Sequence, residues 1–118
     1  MSKAAVLVFA DTETHGDLGR IANALTTVKE FKEAGDVITL VFDGAGVKWV
    51  AELSKSDHRL HGLFASLKDK VGGACSYCAS AFGVRQAVEA SGVKLLADYQ
   101  DHPSLRTLVA SGHEIITF

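Results

Sequence analysis

The sequence predicts an α/β fold, a three-layer α/β/α sandwich around a five-stranded, mostly parallel sheet. Three observations predict it. Apolar, β-branched runs of strand length recur along the chain, as strands buried on both faces require. Segments with apolar residues at helical spacing separate those runs. Small-residue or polar turns mark the junctions, so the order reads β-α-β-α-α-β-α-β-α-β. At 118 residues, 1–118 form a single domain with room for one core.

Ala4 to Ala10 is the first apolar run, and it empties into the polar loop Asp11-Thr12-Glu13-Thr14-His15-Gly16-Asp17. Asp17 is the expected cap of a helix that carries Leu18, Ile21, Leu25, Val28 and Phe31 on one face and stops at Gly35. Val37 to Phe42 is the second strand. Asp43-Gly44-Ala45-Gly46 then turns tightly into a short helix with Val47, Val50, Ala51 and Ser54 on one face. Trp49 falls off that face, so it is expected either as an exposed tryptophan suited to a subunit contact or as a cover over the edge of the core.

Leu60, Leu63, Phe64, Leu67 and Val71 follow helical spacing and give a third helix, with Asp57 as its expected N-cap. His58 and His61 share a face near its start and read as solvated surface histidines. A short strand spans Lys70 to Cys75, weakened by Gly72 and Gly73. One helix is expected from Ser76 to Ala90, with Tyr77, Ala81, Val84 and Val88 facing inward. Val93 to Ala97 is the fourth strand. Asp101-His102-Pro103 is expected to open the last helix, with Leu105, Leu108 and Val109 inward, and Glu114 to Phe118 is the last strand.

Composition narrows the function classes. The net charge of −2 provides no basic footprint, so neither nucleic acid nor an anionic membrane surface is an expected partner. No apolar run approaches the ~20 residues of a membrane span. The apolar start ends at Asp11 and reads as a strand, not a signal peptide. Two cysteines separated by two residues do not make a disulfide-stapled secreted domain, and the expected location is the cytoplasm.

Right-handed crossovers put every strand-to-helix turn on one edge of the sheet, where ligands of such folds bind. The loops at 11–17, 43–46, 75–78 and 98–102 therefore gather Asp11, His15, Asp43, Cys75, Asp98 and His102 at one rim. A ligand-binding rim of Asp11, His15, Asp43, Gly44, Tyr77 and His102 is expected there. Asp11 and His15 would orient a ligand or act as acid and base, or else serve only loop polarity and helix capping. The turn at Asp43-Gly44 would cradle an anion, but it lacks the spacing of a nucleotide-binding loop, so no cofactor is called for.

Cys75 ends a strand and precedes a helix, which favours the thiolate and predicts a lowered pKa. A thiolate attacks disulfides and persulfides alike. Cys78, about one helical turn on, is placed to resolve or modulate that chemistry; the alternative is that both cysteines are small buried hydrophobes. Cys-x-x-Cys supplies only two of the four ligands of a closed zinc site, so no metal is expected.

The segment Cys75-Ser76-Tyr77-Cys78-Ala79-Ser80-Ala81-Phe82-Gly83-Val84 resembles the Cys-(x)7-Gly-[Val/Ile] segment of the DsrE/DsrF-like family. The likeness extends over nearly the whole chain, including the long first helix and the turn at Asp43-Gly44-Ala45-Gly46. It implies trimers or hexamers, of identical or related subunits, and sulfur donor and acceptor proteins as partners. In the sulfur-relay members the cysteine matching Cys75 accepts a persulfide sulfur. Cys78 matches an additional cysteine of many uncharacterised members, and glycines stand at 72 and 73 where bulkier residues are usual. A vicinal thiol could discharge a Cys75 persulfide and leave a disulfide. The expected function is thus a sulfur carrier or sulfurtransferase-like protein. A dithiol-disulfide switch and a non-catalytic oligomeric module that binds a small ligand are the alternatives.

Overall fold

Alternation along β1 (Lys3–Val8) and β2 (Val37–Phe42) decides how the layers form. Ala4, Val6 and Val8 join Ile38, Leu40 and Phe42 in one apolar cluster, while Ala5, Leu7 and Val41 form a second. Both faces of the sheet centre are therefore apolar, and helices must cover both. The computed structural model describes residues 1–118 and shows that arrangement.

After β1 comes α1 (His15–Glu33), and after β2 a 3₁₀ turn (Gly44–Val47), α2 (Lys48–Leu53) and α3 (His61–Ser66). Then follow β3 (Val71–Cys75), α4 (Ser76–Ala81), α5 (Arg85–Ser91), β4 (Leu95–Leu96), α6 (Leu105–Ala110) and β5 (Glu114–Thr117). The sheet order is β4-β3-β2-β1-β5 and every neighbouring pair is parallel. Steps from β1 to β4 all run one way, so their right-handed crossovers land α1 to α5 on one face. The step from β4 back past β1 to β5 places α6 on the other. This is the three-layer α/β/α sandwich, with one thick helical layer and one thin one.

The thick layer buries Ile21, Ala24, Leu25 and Val28 of α1, Trp49, Val50 and Leu53 of α2, Phe64 of α3, Ala79 of α4 and Val88 of α5 in one core. Each large side chain buried there contributes about 1.5–3 kcal/mol relative to exposure. The thin layer rests on Leu108 of α6 with Leu96 and Ile115. No helix is long and apolar enough to cross a membrane.

Several local expectations are corrected. Thr14, not Asp17, is the N-cap of α1; Asp17 is the third helical residue and completes a reciprocal capping box. Asp57 caps nothing, because α3 starts later, after Leu60, without a side-chain cap, and Val71 opens β3 instead of extending that helix. The helix expected from Ser76 to Ala90 is two, broken at Gly83, whose φ of +72 no continuing helix can hold. Ala81 is consequently exposed and Tyr77 points outward, 54 % exposed.

β4 is only Leu95–Leu96, and Pro103 precedes α6, whose N-cap is Ser104. In α6 only Leu108 reaches the sheet, while Leu105 and Val109 are exposed. Trp49 is buried, not a surface contact: its indole N–H donates to the carbonyls of Ala10 and Asp11, both at 3.1 Å. Covering the end of β1 uses the face that helical spacing left free. His58 and His61 are partly buried, His58 edge-on to Trp49 and His61 bonded through Nδ1 to the Leu53 carbonyl at 2.8 Å.

The glycines of β3 have a steric cause. A Cβ on Gly73 would sit 2.5 Å from the Lys94 carbonyl oxygen and 2.6 Å from Leu96 Cγ. That same carbonyl accepts from Ala74 N–H at 2.8 Å, so β4 approaches β3 only because position 73 has no side chain.

Candidate functional site

The carboxyl ends of β2, β3 and β4 converge on one corner. Cys75 is both the last residue of β3 and the N-cap of α4, and its Sγ accepts from the Cys78 N–H at 3.4 Å. Cys75 is fully buried and Cys78 half-buried, and no disulfide joins them. Asp43, 8 % exposed, caps the 3₁₀ turn after β2. Its Oδ1 accepts from Gly44 N–H at 2.8 Å and lies 3.7 Å from the Cys78 thiol that donates to it. The Gly44 amide is thus taken by Asp43.

His102 closes the corner from the loop after β4. Tyr99 and His102 exchange backbone hydrogen bonds of 2.9 and 2.8 Å across Gln100 and Asp101, whose φ values are 51 and 66. Positive φ at both central residues is the mark of a type I′ hairpin turn. It costs about 1–2 kcal/mol for each residue with a Cβ. The turn is held down where it meets α4: Tyr77 N–H donates to the Asp101 carbonyl at 2.8 Å, and the Tyr77 ring lies 4.9 Å from the His102 ring. As a result His102 Nδ1 is 3.2 Å from Cys75 Sγ. Cys78 donates to Asp43, while Cys75 faces His102 Nδ1 and also reaches the Asp101 carbonyl at 3.9 Å.

The electrostatics correct the expected thiolate. Burial pushes the Cys75 thiol up to about 12 from 9.0, and the Asp43 charge adds to the rise; the Cys78 N–H bond opposes it without prevailing. A six-residue α4 and a single amide do not outweigh loss of water around the sulfur. Cys75 rests as a neutral thiol beside an imidazole.

Asp11, His15 and Asp98 lie apart from this corner. Asp11 pairs with Lys48 at 2.7 Å, and that hydrogen bond holds its carboxyl below the usual range. His15 starts α1, is exposed, and lines a shallow hollow with Trp49, Glu52 and His58. Asp98 lines a hollow on the α6 face with Thr39, Leu96 and Leu108. Tyr77 touches the corner through its ring and amide.

Sequence reading missed the pairing of His102 with Cys75, because the turn that makes it has no Asn-Gly or Asp-Gly signal. It missed Arg85 as well. The Arg85 guanidinium bonds Ser76 Oγ and Ser80 Oγ, both at 3.1 Å, and so ties α5 to the helix that carries the thiols. Asp43, Cys75, Cys78 and His102 present ligand atoms that all lie within 4.8 Å of one another, so the histidine and carboxylate that Cys-x-x-Cys lacks are supplied from two other loops.

No family model matches the chain. It is 30% identical over 115 residues to the uncharacterized protein MJ0733 of Methanocaldococcus jannaschii, covering 97% of this chain and 93% of that protein. Among solved structures it is similar to the conserved protein of unknown function BT1422 from Bacteroides thetaiotaomicron. That likeness has a TM-score of 0.64 at 18% identity and covers 97% of this chain and 94% of the other, which establishes the shared fold.

Proposed function

The chain belongs to the same family as the uncharacterized protein MJ0733, and from its thiol corner we propose that it is a sulfur carrier or sulfurtransferase-like protein with Cys75 as persulfide acceptor. The observation that carries this reading is the 3.2 Å contact between Cys75 Sγ and His102 Nδ1. Burial opposes a lone thiolate, but transfer of the proton to the imidazole creates a pair with no net charge, which the same burial penalises far less. His102 is therefore the group that makes a buried thiol nucleophilic when an electrophile arrives.

Cys75 Sγ attacks the outer sulfur of a donor persulfide while His102 takes the thiol proton. The donor's S–S bond breaks, and its leaving thiolate recovers that proton. Cys75 then holds the persulfide. Attack by the Cys78 thiolate on Cys75 Sγ would expel hydrosulfide, reducing the outer sulfur and oxidising the two thiols to a disulfide. The two sulfurs lie within 4.8 Å, which favours dithiol-disulfide chemistry as the second reading. The resemblance to the DsrE/DsrF-like family supports the same assignment, and with it a cytoplasmic protein assembled as trimers or hexamers. Exposed Tyr77, Phe82, Tyr99 and Val109 offer apolar surface for such assembly.

Mass spectrometry after exposure to a small-molecule persulfide tests the assignment. The parent chain gains one sulfur atom at Cys75, and Cys75→Ser gains none. Uptake by Cys75→Ser at the parent's rate would make the assignment wrong.

A further inference from the structure

We infer that Asp43, Cys75, Cys78 and His102 form a binding site for a single zinc ion. The inference goes beyond the sulfur-carrier reading and does not depend on it. The donor set comes from three loops that the parallel sheet brings to one edge: Asp43 after β2, the two cysteines after β3 and His102 after β4. All four ligand atoms lie within 4.8 Å of one another. A tetrahedral zinc with bonds of about 2.0 to 2.3 Å needs donor-to-donor separations of roughly 3.3 to 3.8 Å. The Cys75–His102 pair, at 3.2 Å, and the Cys78–Asp43 pair, at 3.7 Å, already stand near those values.

The chemistry of the donors selects the ion. Two thiols and an imidazole suit zinc and disfavour calcium or magnesium, which take oxygen donors. The supporting bonds are those a metal site uses. The Cys78 N–H that reaches Cys75 Sγ at 3.4 Å would shield a bound thiolate, and the Gly44 N–H at 2.8 Å fixes the Asp43 carboxylate. His102 is aimed by its strained turn and by the Tyr77 ring. Cys75 and Asp43 are buried whereas Cys78 and His102 are half-buried, so the ion has a mouth to enter by. Binding displaces both thiol protons to solvent and the ion's waters with them. While zinc is bound neither sulfur is free to accept a sulfur atom, so the ion would hold the thiols in reserve.

Cobalt titration of the reduced full chain, followed by zinc displacement, tests the site. One equivalent of Co²⁺ should give a thiolate-to-cobalt charge-transfer band with the d–d envelope of a tetrahedral ion, and one equivalent of Zn²⁺ should abolish both. Cys78→Ser and His102→Ala, at half-buried positions, should remove or shift the band while circular dichroism stays native. Asp43→Asn should weaken binding about ten- to a hundredfold. Absence of the charge-transfer band in the reduced parent, or an unchanged band in both Cys78→Ser and His102→Ala, would overturn the inference. Sulfur uptake is measured separately on chelator-treated protein. Uptake without a cobalt band counts against zinc alone, and a band without uptake counts against the sulfur carrier alone.

Discussion

Two regions of the same sheet edge hold titratable groups, and they solve opposite problems. At the loop after β1, Asp11 meets the Lys48 ammonium at 2.7 Å with Glu13 at 3.5 Å from the same nitrogen, all in contact with solvent. Hydrogen bonding to Lys48 lowers the Asp11 pKa, and the bond to Asp11 raises that of Lys48, so both stay charged at neutral pH. Over β2 to β4, Cys75 and Asp43 are buried with an imidazole and a second thiol, and no ammonium or guanidinium joins them. A solvated pair of opposite charges has a settled protonation state and little left to do. A buried thiol that burial keeps protonated, with His102 Nδ1 3.2 Å away and a second thiol close by, has a proton to give up when a reaction partner or an ion arrives, and that is the condition for chemistry or for metal binding.

The contrast can be broken in a definite order. The largest effect should be in labelling. With a pKa of about 12 against 9.0, folded Cys75 holds about a thousandfold less thiolate at neutral pH than an ordinary thiol. In a chain carrying both Cys78→Ser and His102→Ala, which has one thiol and no imidazole beside it, alkylation of Cys75 by iodoacetamide, followed by mass spectrometry, should be slower in the folded than in the denatured chain by a factor on the order of a thousand. Equal rates would mean that Cys75 is not buried in solution.

Next is the backbone that brings β4 beside β3. Gly73→Ala places a Cβ 2.5 Å from the Lys94 carbonyl oxygen and should cost about 1–3 kcal/mol in a urea unfolding curve. An unaffected midpoint would contradict the close approach.

A smaller effect concerns pH. Because the folded thiol of Cys75 ionises higher than the unfolded one, the folded chain keeps a proton that the unfolded chain loses above about pH 9. The stabilisation is fully present below pH 9 and is lost as pH rises toward about 12. Melting temperature should therefore fall over that window in the parent and fall less in Cys75→Ala. The smallest effect belongs to the solvated region. Asp11→Asn and Lys48→Met should leave the labelling of both thiols unchanged, and a change would show that the two regions communicate.

Much of the frame was legible in the sequence because it depends on local pattern. β2 is found where the run Val37 to Phe42 placed it, and β3 ends at Cys75 where the thiol motif begins. Gathering of Asp43, Cys75 and His102 follows from topology, since parallel strands deliver their following loops to one edge. What was not legible depends on tertiary contacts. The burial of Trp49 is decided by the carbonyls at the end of β1. The pKa of Cys75 was predicted in the wrong direction because a strand-to-helix junction announces a helix end but not how much water remains there. Asp101 is a residue type that tolerates positive φ but Gln100 is not, and nothing in the sequence marks the pair that sets His102 over the sulfur.

The account's central claim is that His102 makes Cys75 a nucleophile, and the rate at which Cys75 gains a sulfur atom from a small persulfide measures it most directly. With metal removed by chelator, His102→Ala should take up sulfur about a hundredfold or more slowly than the parent, as expected for loss of a proton acceptor. Uptake at Cys75 at the same rate in both proteins would contradict the claim.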